Sequence, residues 1–416
     1  MGSRSAGGVE VAVRAHTRAA LAAALCVLAA SPAVAQDDTP LPDLGVEIHG
    51  FVSQGFILSF ENEYLARAKT GSVEFSELGI NFTRQLTDEL RLGVQLFSHD
   101  IGPFGNFEPE IDWGYVDYHP WDFLAARVGR MKIPFGLYNE LNDLDVARVP
   151  ILLPQSIYQV DHREFAFSLT GGELYGDIPL GPAGSLEYRL YGGTFPNSPP
   201  EENPPPPGVS VSNLTTPYVY GGRLLWLTPL DGLLGGFSYQ KLRLDADYSL
   251  DPALQAVLAS VGLVPADLLS PFPVQFTVPR WVASLQYAAH DLDISAEYSR
   301  WTGEFKSPIP LLLPTHVVNE RYYLMASYRV SPWLTPGLYY SGYFVDTEDR
   351  KGREQYTHDV AATLRFDLNA HWLLKVEGHV MRGTATLDNR ALNGGLAKDQ
   401  LEPTWGVFLL KTTAYF

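Results

Sequence analysis

The sequence predicts an all-β fold: a transmembrane, antiparallel β-barrel of about 16 strands, with long loops at one end and short turns at the other. Three observations predict it. A secretory leader opens the chain; segments of about ten residues alternate apolar and polar positions; and the connections between them alternate strictly in length.

The leader is residues 1–35. Arg4, Arg14 and Arg18 form its basic region, Ala19 to Ala30 its apolar stretch, and Ala33-Val34-Ala35 its small-residue cleavage pattern. The only cysteine, Cys26, lies inside it, so the mature chain from Gln36 holds no disulfide. The formal charge of −17 becomes −19 once the leader is removed, with 27 basic against 46 acidic residues, which argues against nucleic acid as a partner. No later apolar run reaches the ~18 residues of a membrane helix, which leaves strands as the way across.

The strand pattern is clear in three places. Val360, Ala362, Leu364, Phe366 and Leu368 alternate with Asp359, Ala361, Thr363, Arg365 and Asp367. Tyr322 to Val330 and Trp372 to Val380 behave alike. Short connections fall at Gln85–Asp88, His119–Asp122, Asp177–Gly184, Thr228–Gly232, His290–Asp291, Ser331–Trp333 and Asn369–His371. Long ones fall at Glu61–Ser72, Ser98–Pro109, Leu137–His162, Pro196–Asn213, Asp245–Phe276, Glu304–Val318, Asp346–Glu354 and Thr386–Glu402. Both termini then lie on the short-turn, periplasmic side. Trp121, Trp226, Trp333 and Trp372 sit by short turns, whereas Trp113, Trp281, Trp301 and Trp405 sit at long-loop ends, which predicts two aromatic girdles.

Two long loops have their own character. Pro199 to Pro207 is proline-rich and unable to pair as a strand. Between Asp251 and Ser270, Asp251 as cap, Pro252 in the first turn and Leu254, Val257, Leu258 and Val261 at helical spacing predict a short helix on the barrel mouth.

A barrel of about 16 strands leaves a water-filled bore. The third long loop (135–164) is too apolar for disorder and is expected to fold into that bore. Its Glu140, Asp143, Asp145 and Arg148, with Arg130, Lys132 and Arg163 on the flanking strands, are the expected constriction. Opposed charges there either set up a transverse field across the pore or pin the loop to the wall. The alternation places Arg91, Arg189, Arg223, Arg280, Arg321, Arg329, Arg365, Lys375 and Lys411 on the inner wall. Glu187, Asp293, Glu297, Asp359, Asp367 and Glu377 join them as acids. Each is either a selectivity determinant or a wall ion pair that keeps the lumen polar.

The chain resembles bacterial outer-membrane porins in its leader, strand number, long third loop and terminal Phe416, although Ala414 stands where the terminal signal usually has an aromatic. Gly129-Arg130-Met131-Lys132-Ile133-Pro134-Phe135-Gly136 is similar to a segment of the phosphate-selective porin O and P type, and His49-Gly50-Phe51 fits the same group. The resemblance implies passive diffusion of small hydrophilic solutes and ions through a homotrimer embedded in outer-membrane lipid and lipopolysaccharide. It does not imply anion specificity, because the lysine-rich track of a phosphate channel is missing: lysines are few and scattered. A substrate-specific channel for phosphate or an organic anion, and a surface adhesion or assembly barrel acting through its loops, are the alternatives. Catalysis, metals and cofactors are not expected: the ten histidines are dispersed, and no HExxH, GxSxG or phosphate-loop pattern occurs.

Overall fold

The computed structural model describes residues 45–160, 167–195, 208–309, 316–388 and 390–416. The leader, the proline run and Arg163 lie outside the described residues. The first eight strands are β1 (Val46–Phe60), β2 (Phe75–Gln85), β3 (Leu90–Ile101), β4 (Glu110–Trp121), β5 (Leu124–Lys132), β6 (Ser168–Pro179), β7 (Ser185–Thr194) and β8 (Val209–Leu227). The second eight are β9 (Leu233–Leu250), β10 (Phe272–Ala289), β11 (Leu292–Lys306), β12 (His316–Tyr328), β13 (Leu334–Phe344), β14 (Tyr356–Asn369), β15 (Trp372–Arg382) and β16 (Thr404–Tyr415).

Each strand pairs antiparallel with its neighbour in sequence, and β1 pairs with β16, so all sixteen close into one barrel. The closing seam runs to the last residue: Phe416 and Gly50 exchange main-chain hydrogen bonds of 3.0 and 3.1 Å. Closure removes the free sheet edges that a membrane would not tolerate. No helix among the described residues is long and apolar enough to cross a membrane; the strands cross it.

The alternation read from sequence is the alternation of faces. On β14, Val360 and Leu364 point outward and are exposed, while Asp359, Ala361 and Thr363 point inward and are buried. The outward set across the barrel, including Val128, Leu190, Leu285, Leu324, Leu338 and Val380, is apolar and exposed. A continuous apolar outer face on a closed barrel is the surface of an outer-membrane protein.

The girdles are less symmetrical than expected. Trp121, Trp226, Trp333 and Trp372 all face outward near the short turns. Of the four tryptophans near the long loops, Trp281 stacks on the outward Phe237, but Trp405 is buried inside and Trp301 lies under inward arginines. Trp113 stacks on Tyr115, which faces into the barrel beneath Arg127. Exposed Phe60, Tyr220, Tyr239 and Tyr340 supply the outward aromatics instead. A strand-end position fixes height but not face, and inward tryptophans here serve the interior.

β8, β9 and β10 run 19, 18 and 18 residues, well past the breaks expected at Pro196–Asn213 and Asp245–Phe276. Their upper halves pair with one another, Val209 opposite Leu250 and Phe272 opposite Tyr248. The projecting ribbon is held by a cluster of Leu250, Val264, Phe272, Val274 and Ile309. Helix α1 (Pro252–Ser260) packs Leu254 and Leu258 onto that cluster, and the Asp251 side chain caps it by accepting from the Ala253 N–H at 2.8 Å. Val257 and Val261 remain exposed.

Candidate functional site: the third loop inside the barrel

β5 stops because Pro134 brings no N–H to the ladder. Two residues on, Gly136 takes a left-handed φ of +65°. A Cβ there would collide with the Tyr158 hydroxyl and the Glu297 carboxylate, so the turn requires glycine. From this turn the chain leaves the wall. The Gly136 N–H donates to Ser238 Oγ of β9 at 3.1 Å, and the Leu137 N–H to Glu297 Oε1 of β11 at 2.9 Å. The Tyr158 hydroxyl donates to the other oxygen of Glu297. Burial, then the Glu297 charge, push that phenol well above its ordinary range and keep it a donor.

Charged pairs then fix the loop at two places far apart on the wall. Glu140 lies between Arg189 of β7 and Arg223 of β8, the latter at 2.9 Å. Burial raises the Glu140 carboxyl, but the two guanidinium groups outweigh it and hold the group below its ordinary value. Five residues later Asp145 meets Lys375 of β15 at 2.9 Å and Lys411 of β16 at 3.6 Å, and accepts from Thr413 Oγ1 at 2.8 Å. Asp145 is likewise depressed, its burial overcome chiefly by Lys375 and Lys411. In a ring of sixteen strands, the β7–β8 and β15–β16 pairs stand diametrically opposite.

Main-chain contacts complete the attachment. Lys375 Nζ also donates to the carbonyls of Asp145 and Arg148, at 2.6 and 2.8 Å. Glu377 accepts from the Ile151 and Leu152 N–H groups at 2.7 and 2.9 Å. Arg365 donates to the Val146 and Arg148 carbonyls, and Arg321 to the Ser156 carbonyl and Gln159 Oε1. Asp359 accepts from Tyr339 Oη and pairs with His379, whose other nitrogen meets Glu377.

Between these anchors the loop buries apolar surface. Phe135, Tyr138, Leu153, Ile157 and Tyr158 form one cluster with inward-facing Met131, Leu169, Tyr191, Val219, Leu242, Val278, Val282, Tyr323 and Tyr339. Ile151 and Leu152 join a second cluster with Ile57, Phe75, Met381, Val407 and Leu409. Much of the inner wall is therefore apolar where the loop covers it.

Of the expected constriction set, Lys132 bridges Asp112 of β4 at 2.6 Å and Asp143 of the loop. Arg148 lies 3.9 Å from Asp145 and donates to the Ile151 carbonyl. Arg130 departs from the expected position. Its Nε donates to the Asp112 carbonyl at 3.2 Å, and it lines an outer groove with Phe82, Leu92, Val116 and Val128 rather than meeting the loop acids. On β5, Arg127, Gly129 and Met131 share the inner face and Arg130 faces out, whereas Lys132, of the same parity, is the last residue of the strand and reaches Asp112 and Asp143. Arg91 contacts Asp117 at 3.6 Å and remains half exposed, away from the loop.

Several inward groups were not legible as such. Arg127 stacks over Tyr175 at 4.3 Å and pairs with Asp117 and Glu173. Glu173 also holds Arg189 at 2.5 Å, and Glu77 pairs with Lys411. Cross-strand register would have found them, since Arg127 stands opposite both Asp117 and Glu173.

Below the loop, on the short-turn side, a cavity of about 870 Å³ opens between Val146–Pro150 and strands β10 to β14. Arg329, Arg365, Asp291, Asp293 and Asp367 line it. Among the described residues no cluster of potential metal ligands occurs.

Neither a protein-family model nor a curated protein matches the sequence. Solved structures do match in fold. An anion-selective porin from Comamonas acidovorans aligns with a TM-score of 0.56 at 14% identity, over 89% of this chain and 99% of that one. The barrel has the porin fold. The outer-membrane channel DcaP of Acinetobacter baumannii follows with a TM-score of 0.53 at 13% identity, over 89% and 97%. A trimer form of OmpT, an outer-membrane protein of Vibrio cholerae, gives 0.55 at 11%, over 89% and 99%. Sixteen closed strands, an apolar outer belt and this fold place the porin-like barrel in the bacterial outer membrane.

Proposed function

We propose that the chain is an outer-membrane porin for passive diffusion of small hydrophilic solutes and ions, with the third loop as the narrowest element of its path. One observation carries this reading. Glu140 and Asp145 are five residues apart in sequence yet are anchored to wall strands eight positions apart. A segment tied across a bore divides its cross-section, so the remaining passage is narrower than a bare sixteen-strand barrel would leave. The aqueous cavity beneath the loop, with acids and arginines on its wall, supports a polar route from the periplasmic side.

We extend the resemblance of Gly129–Gly136 to the phosphate-selective porin O and P type to architecture, not to phosphate. The basic residues of that segment are engaged by Asp112 and Asp143. A homotrimer surrounded by lipid and lipopolysaccharide is the assembly this reading carries, by likeness to the trimer form of a fold neighbour. The test is single-channel recording of the folded, heat-modifiable barrel in potassium chloride. Small, uniform steps support a loop-narrowed pore. A folded barrel that gives no steps overturns it and moves the function to the loops.

A further inference from the structure

Most cations inside the barrel have a carboxylate in direct contact: Arg127 and Arg189 have Glu173, Arg223 has Glu187, Arg365 has Asp367 and Lys375 has Asp145. Arg280, at half-height on β10, has none among the described residues. It is 3% exposed, and its Nε donates to Gln240 Oε1 at 2.6 Å. Its Nη2 is buried with no acceptor among the described residues. Its guanidinium lies 4.3 Å from the Phe135 ring and 4.6 Å from the Trp301 ring, and Arg321 stacks on that same Trp301 ring at 3.6 Å.

Gln240 is the cross-strand partner of Arg280, where a glutamate of the same length would neutralise it. A buried cation without a counter-ion is strongly disfavoured, and ring contacts recover only part of the loss. That deficit is available to an incoming anion. We infer that Arg280, with Phe135 and Trp301, binds the carboxylate of a solute that carries an aromatic or other apolar body. This rests on the channel reading above and gives it a substrate class. Arg321 across the Trp301 ring directs its donors to Ser156, Gln159 and Asn319, so Arg280 offers one guanidinium to one carboxylate, whereas a phosphate dianion needs further donors. Phe135 stands one residue before the turn at Gly136, so the occupant would lie where the loop leaves the wall.

The test uses the purified full-length barrel with benzoate as probe and benzamide and inorganic phosphate as comparators. Benzoate is expected to reduce the chloride-salt current in a saturable way, with benzamide inert and phosphate weaker. Arg280→Gln removes the cation, and Gln240→Glu supplies an internal carboxylate in its place. Each is expected to raise the half-blocking concentration about tenfold or more, with folding checked by heat-modifiable migration. Unchanged block in either folded variant, equal block by benzamide, or stronger block by phosphate overturns the inference. If the barrel passes no current, calorimetric titration of benzoate decides the site separately. Heat seen in the wild type and lost in Gln240→Glu sustains it, and no heat in the wild type refutes it.

Discussion

Replacing Asp145 with Asn tests how the loop is held. Asp145 is buried and its carboxylate faces the buried Lys375 at 2.9 Å, with Lys411 at 3.6 Å. Asn keeps the shape and the bond from Thr413 but leaves Lys375 without a counter-charge. Breaking a buried pair by removing one partner costs about 3–5 kcal/mol. Lys375 retains the carbonyls of Asp145 and Arg148, at 2.6 and 2.8 Å, so the lower end applies. About 3 kcal/mol corresponds to roughly a 100-fold fall in the ratio of docked to undocked loop. Two assays read it: larger or noisier single-channel steps, and faster tryptic cleavage after Arg148, which is buried while the loop is docked. The double variant Asp145→Asn with Lys375→Met removes both charges and is expected to recover most of the loss. Unchanged steps and unchanged cleavage in Asp145→Asn would refute electrostatic anchoring of the loop.

Three other outcomes follow from the same geometry. Glu377→Ala leaves the Ile151 and Leu152 N–H groups without their acceptor; at about 1–3 kcal/mol each, amide exchange at both should quicken at least tenfold while strand amides stay protected, and unchanged protection there rejects the contact. Glu140 is depressed below its ordinary value of 4.5 by Arg189 and Arg223 despite its burial; its contribution is therefore complete above that value and is lost as pH falls through the folded value. Conductance should therefore change as pH falls below about 4, and a folded Glu140→Gln barrel that still shows that acid change would count against the role of Glu140. Arg329 is exposed in the cavity beneath the loop, so Arg329→Glu should move the reversal potential under a salt gradient toward cations; no movement would mean that this cavity lies off the ion path.

The architecture was legible because it follows from local rules. Alternation at Val360 to Leu368 needs only two faces with different solvents, and alternating connection lengths need only two sides of a membrane. The Asp251–Pro252 start of α1 is a local signal as well, and it gave the right helix. The interior was harder to read, because the loop changes what the inner face must look like. Met131, Val219, Leu242, Val278 and Leu409 face inward and are apolar, since they pack on the loop or on its neighbours rather than meeting water. Reading inward as polar thus assigns β5 to the wrong register: it favours Arg130 and overlooks Arg127. The partner choices could not be read either. Glu140 pairs with Arg189 and Arg223, and Asp145 with Lys375 and Lys411. Those strands lie far along the chain, and only the closed ring brings them to the loop.

The same pairing changes where selectivity can reside. Counted along the strands, the inner wall is slightly basic within an acidic chain. In the folded barrel, however, Arg189, Arg223, Arg365 and Lys375 spend their donors on loop carboxylates, loop carbonyls or wall acids. A charge buried against its counter-ion contributes little field to a passing solute, since the pair presents a dipole rather than a net charge. What remains for a solute to sense are cations without an acidic partner and charges that face open volume. Arg280 is of the first kind and Arg329 of the second. Discrimination between solutes should therefore depend on these two positions more than on the number of arginines around the wall.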